Sequence, residues 1–126
     1  ACKKFTIHYD KKSKLYWSLS NHSPKKYRGI NHVERTRSTV ALIYSKDLIS
    51  WKIKAILLSD PDVKYSGFQY IDWFIEGSDI AALSRTAFWD GKEKANDCHN
   101  ANYITFHRFK NFRNAKTPAK WKELED

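Results

Sequence analysis

The chain has 126 residues, with 23 Lys and Arg against 14 Asp and Glu, a formal charge of +9. Hydrophobic residues make up 41% and aromatic residues 15%, enough for a packed core, which excludes a disordered chain. Four Gly and three Pro are too few for collagen-like or low-complexity sequence, and no apolar run approaches the roughly 20 residues of a membrane-spanning helix.

Taken in order, the segments alternate as strands do and show almost no helical period. Phe5 to Tyr9 alternates, Asp10-Lys11-Lys12-Ser13 is a polar turn, and Leu15 to Ser20 returns. A polar stretch from Asn21 to about Thr36 separates this hairpin from a strand over Ser38–Tyr44. The tight connection Lys46-Asp47-Leu48-Ile49-Ser50 leads to a strand from Trp51 to Leu58. After Asp60-Pro61-Asp62 the pattern restarts: Phe68 to Ile75, a turn at Glu76-Gly77-Ser78-Asp79, then Ile80 to Thr86. A second long polar loop precedes Tyr103 to Phe109. No helix is expected between Phe5 and Phe109. Near the end, Thr117-Pro118 reads as a helix start, with Thr as cap and Pro as first helical residue.

The restart is an internal repeat. Phe5 matches Phe68 at a spacing of 63, and Ser18-Leu19-Ser20-Asn21 matches Ala82-Leu83-Ser84-Arg85 at 64. Thr39 matches Tyr103, and Lys46-Asp47-Leu48 matches Lys110-Asn111-Phe112, again at 64. Each unit reads strand, hairpin, strand, long loop, strand, with a fourth strand clear in the first copy alone. The expected fold is all-β: two blade-like antiparallel sheets of three to four strands, over residues 1–62 and 63–126 of a single unit. A β-sandwich is the alternative. Met is absent, so either a leader has been removed or the chain is a piece of a longer protein.

Ser45-Lys46-Asp47-Leu48-Ile49-Ser50-Trp51 resembles a degenerate Asp-box, the Ser-x-Asp-x-x-x-Trp turn of sialidase-type propeller blades. Tyr16–Asn21, Gly67–Trp73 and Ala101–Arg108 are similar to segments of bacterial sialidase-like or glycoside-hydrolase-like β-propeller proteins. The likeness extends up to Arg113, over about two blades where that family has five or six. It implies a fragment of a carbohydrate-active protein that binds or hydrolyses glycans, and a periplasmic or secreted location in a bacterium. The alternative is a non-catalytic propeller fragment or interaction module.

In such a fold the loops Asn21–Arg37, Asp60–Gly67 and Ala87–Ala101 share one side, opposite the hairpin turns and the Asp-box. Long loops on a rigid scaffold carry function. Asn21 and Arg85 match at strand ends, and Arg37 and Asn102 both precede a third strand. Gln69, Tyr70 and Asp72 interrupt an otherwise apolar strand, where a carboxylate must be paired, exposed to a cavity or raised in pKa. Asp72 is therefore the candidate acid or base, with Tyr70 and His99 as further catalytic candidates. Arg37, Gln69, Arg85 and Asn102 are the candidate substrate-binding residues, the arginines as forks for an acidic sugar. A structural Asp72–Arg85 ion pair is the competing reading. No cofactor or metal site is legible.

The partners expected are a glycan or acidic sugar and a second copy. Two blades cannot close a ring, so outer faces carrying Ile53, Leu57, Ile71, Trp73 and Ile104 should be bare and associate. Nucleic acid is disfavoured because the aromatics alternate along strands and the lysines crowd turns and ends. Cys2 and Cys98 would pair in an exported protein.

Overall fold

The computed structural model describes residues 4–126, so the Cys2 half of the expected pair lies outside the described residues. Seven strands follow one another: β1 (Ile7–Asp10), β2 (Leu15–Asn21), β3 (Thr39–Ser45), β4 (Trp51–Ser59), β5 (Gly67–Glu76), β6 (Asp79–Ala87) and β7 (Tyr103–Phe109). They form two antiparallel meanders, β1-β2-β3-β4 and β5-β6-β7. The fold is all-β, as the alternation implied. The bounds of β3 and β7 stand 64 residues apart at both ends. The fourth strand has no counterpart in the second sheet.

Alternation along the strands explains how the sheets meet. On β2, Trp17 and Leu19 point to one side, and on β3 Val40 and Leu42 stand beside them on that side. They pack against Ile71 and Trp73 of β5 and Ile80 and Ala82 of β6, with Phe112 closing the edge. Each large side chain removed from water there contributes about 1.5–3 kcal/mol, so this joint is the main stabilising contact. Trp73 ties it together with polar atoms as well. Its indole N–H donates to the Thr6 carbonyl at 3.2 Å, and its own carbonyl lies 2.7 Å from His8 Nε2.

The other side of the first sheet is also covered. Ala41, Ile43, Ile53 and Ile56 lie under Tyr27, Val63, Trp121 and Leu124. The cover comes partly from the C-terminus, a 3-10 helix at Ala119–Glu125. Pro118 sits in the cap position, one residue earlier than expected. The Thr117 hydroxyl does not cap the helix; it accepts the Ile56 amide N–H at 2.9 Å, a donor on the outer strand β4. Two single 3-10 turns, Lys25–Tyr27 and Val33–Arg35, interrupt the first long loop where no helix was expected. The first supplies buried Tyr27 to the cover.

Because the first sheet is a middle layer, β3 reads Thr-Val-Ala-Leu-Ile-Tyr-Ser and is buried or half-buried throughout. The second sheet is covered on one side, and β7 alternates between exposed and half-buried residues. Burial corrects the expected bare face. Ile71 and Trp73 are core, Ile53 and Leu57 are packed against the two clusters, and Ile104 alone of the five stands in water. The bare face is made instead by Phe74, Leu83, Ile104 and Phe106.

The turns are fixed by side-chain oxygen atoms. In the Ser45–Trp51 connection, Asp47 Oδ1 accepts the Ile49 and Ser50 amides at 2.9 and 2.7 Å, which holds its carboxyl below the usual range. Leu48 there takes a left-handed φ of 63°. The Trp51 indole is half-buried and donates to the Leu48 carbonyl at 3.3 Å.

Candidate functional site

Four chain segments meet at the end of the sheets opposite these turns. The Asn21 side-chain amide, at the end of β2, donates to the carbonyls of Arg37 and Phe68 at 3.2 and 2.8 Å. The Phe68 amide donates to the Arg37 carbonyl at 2.9 Å, so the entries to β3 and β5 are tied to each other. The loop between β6 and β7 comes down on them at Cys98. Gln69, wholly buried, accepts from Arg37 Nη1 at 2.8 Å and donates its amide to the Cys98 carbonyl.

Such close approach requires a glycine at 67. A Cβ there would stand 2.7 Å from the Cys98 carbonyl oxygen and 3.3 Å from Arg37 Cβ. Gly67→Ala is expected to lose about 1–3 kcal/mol by overpacking, read as a lowered melting temperature. An unchanged melting temperature would show that the 88–102 loop shifts freely.

Tyr70 follows, and here β5 carries a bulge. Register slips between Gln69 and Asp72, and Tyr70 has a φ of 48°, a costly conformation for a bulky side chain. The extra residue turns the ring out of the pleat among cations. Lys4 Nζ lies 5.3 Å from its centroid, Arg85 Cζ 5.6 Å and Arg37 Cζ 5.9 Å. His99 Nε2 is 3.4 Å from the Tyr70 hydroxyl. Positive charge above an aromatic face is attracted to the ring quadrupole. None of these three cations is ion-paired to a carboxylate among the described residues. Arg37 is 6% exposed, and its guanidinium has the Gln69 Oε1 and the Tyr70 ring for partners in place of a carboxylate.

Arg37 also lines a cleft of about 630 Å3 with Asn31, Arg35, Lys64, Asp97 and His99. Its walls come from all three long loops. Asp97 is occupied with the turn, its Oδ1 accepting the His99 and Asn100 amides. Cys98 is buried beneath, its thiol donating to the Arg35 carbonyl at 3.0 Å and pushed up in pKa by burial, so it is not a ready nucleophile.

The sequence candidates thus divide. Arg37, Gln69, Tyr70, Arg85 and His99 form one connected cluster. Asp72 is exposed, and its Oδ1 accepts the Trp73 amide at 3.0 Å; no ion pair joins it to Arg85 among the described residues. Asn102 closes its own loop, exchanging bonds with the Phe88 amide and carbonyl at 3.2 and 3.1 Å. Sequence reasoning missed Lys4, because a lysine before the first strand carries no signal of its own. Among the described residues no group of three His, Cys, Asp or Glu could hold a metal ion, and no helix is long and apolar enough to cross a membrane.

Comparison with known proteins returns no match to any protein-family model, curated protein or solved structure.

Proposed function

We propose that this chain is a two-blade piece of a carbohydrate-active, sialidase-like β-propeller, and that it binds an acidic sugar over Tyr70. The observation that carries the reading is the set of three cations around one exposed ring, Arg37 among them buried without a carboxylate. A sugar carboxylate satisfies that charge through forked hydrogen bonds, while a hydroxyl reaches His99. Gln69 acts behind Arg37, holding the guanidinium in place rather than touching sugar. Hydrolysis needs two carboxyl groups about 5–9.5 Å apart. In this reading Asp72 is one, and the rest of the propeller supplies its partner.

The test is calorimetric titration with glucuronic acid, N-acetylneuraminic acid and glucose. Acidic sugars should bind and glucose should not. Arg85→Ala should weaken binding about 10- to 100-fold, the worth of one charge-assisted hydrogen bond, with the melting temperature unchanged because Arg85 is exposed. Equal binding of neutral and acidic sugars, or indifference to Arg85→Ala, would overturn the reading.

A further inference from the structure

We infer that a second cavity, walled by Asp60, Asp62, Ser66, Trp89 and Lys94, binds a neutral saccharide with one sugar ring stacked on the Trp89 indole. It shares no side chain with the Tyr70 cluster, and the inference does not rest on the acidic-sugar reading. The cavity measures about 670 Å3, within the usual range for a small-molecule site. Its walls are the loop between β4 and β5 and the loop between β6 and β7.

Trp89 points to the ligand. The other four tryptophans all have partners: Trp17, Trp51 and Trp73 donate their indole N–H, and Lys120 lies over the Trp121 ring. The Trp89 side chain, in a residue 55% exposed, makes no hydrogen bond or ring contact among the described residues. Yet the chain on either side of it is held. Phe88 exchanges backbone bonds with the Asn102 side chain, and its ring lies 4.9 Å from that of Tyr103. Asp90 Oδ1 accepts the Lys92 and Glu93 amides, and its Oδ2 accepts the Tyr103 hydroxyl at 2.6 Å. An indole presented to water on a held backbone offers a flat apolar face with little freedom left to lose on binding.

The polar groups around it decide what kind of molecule fits. Asp60 Oδ1 accepts the Asp62 amide at 2.8 Å, and Asp62 Oδ1 accepts the Tyr65 amide at 3.3 Å. Each carboxylate spends one oxygen on the turn and keeps the other without a partner among the described residues. Ser66 is 1% exposed, and its hydroxyl has no hydrogen bond among those residues either. Lys94 Nζ rests 3.8 Å from the centre of the Tyr65 ring. Two carboxylates repel an anion and Lys94 repels a cation, whereas a neutral polyol suits both. Its hydroxyls donate to Asp60 and Asp62 and accept from Lys94 and Ser66. For the indole it must also bear a face of C–H groups, whose slight positive charge the ring cloud attracts. A pyranose ring has both.

Proton–nitrogen correlation spectra of the 126-residue chain test this, with lactose, maltose and cellobiose as the probes and Trp89→Phe to assign the indole signal. A saturable shift of the Trp89 indole N–H is expected, with a dissociation constant of about 1–10 mM. The signals of Trp17 and Trp73, each 2% exposed, should stay in place. Asp60→Asn keeps the oxygen used in the turn and removes the charge, so it should weaken binding about 10-fold with the melting temperature unchanged. Trp89→Ala should abolish saturation transfer to the sugar protons and keep the fold, since the ring already faces water. Arg85→Ala, in the Tyr70 cluster, should leave the shift as it is, and so should failure of the chain to bind acidic sugars. No shift with any of the three probes, an equal affinity in Asp60→Asn, a shift lost in Arg85→Ala, or a larger shift with tetramethylammonium would each overturn the proposal.

Discussion

Replacing Arg113 by Met is expected to cost about 3 kcal/mol of folding stability, because it strips the partner from a buried carboxylate. Asp10, 5% exposed, receives Arg113 Nε at 2.7 Å and Nη2 at 2.8 Å, a forked pair between the first hairpin turn and the segment after β7. Ser13 adds its amide and hydroxyl to the same carboxylate, and the Trp17 indole donates to that hydroxyl. Arg113 also lies over the Phe112 ring, which meets Trp17 edge to face. The pair therefore fastens the two units together beside the core.

The pH dependence supplies a second measurement. The Arg113 hydrogen bonds, helped by Ser13 and opposed by burial, hold the Asp10 carboxyl well below its ordinary 3.8. The folded chain thus binds fewer protons there than the unfolded chain. The contribution is complete above pH 3.8 and is lost as the pH falls below it. Urea unfolding at pH 7 should show the full gap between native protein and Arg113→Met, and the gap should narrow in acid. A loss under about 1 kcal/mol at pH 7 would mean that Ser13 and solvent suffice for the carboxylate.

The second large effect is expected at Trp73. Trp73→Ala should cost about 3–5 kcal/mol, the usual range for an aromatic deleted from a core. Trp73 is 2% exposed, and its ring meets His8 edge to face with centroids 4.5 Å apart. Trp73→Phe, which keeps most of the packing but loses the indole bond to Thr6, should cost less than half as much. A double-mutant cycle with His8→Ala should show coupling, because the two residues touch across the joint. Additive losses would show that the His8 contact contributes nothing to holding the sheets together.

How far these features could be read from the sequence depended on whether the signal was local. The strands were legible because Trp17, Leu19, Ile71 and Trp73 alternate with polar residues, and the repeat was legible because β3 and β7 keep their spacing. Which faces are bare was not legible. Ile53 and Ile104 look alike in a strand pattern, and burial of Ile53 depends on a helix some 70 residues away. Arg37, Arg85 and Asn102 were all marked by matched strand ends, while Asp72 drew notice by residue type. The bulge at Tyr70 decided the difference, since it swings one ring toward the cations and leaves Asp72 to a neighbouring amide. Nothing in a list of residues announces a left-handed tyrosine.

The C-terminal cover has a consequence for the order in which the molecule can be made. Leu124 packs against Ala41, Ile56 and Val63, and the Asp126 carbonyl accepts the Lys25 amide at 2.7 Å. These are contacts between the first half of the chain and its last ten residues, among the most expensive loops to close. On the ribosome the first sheet can form its hairpins early, but one of its faces stays wet until the segment after Thr117 emerges. Ala41, Ile43 and Ile56 are then the surface a chaperone would meet. A nascent chain halted before Trp121 should expose that face for as long as it is held, and release should close it within a single step.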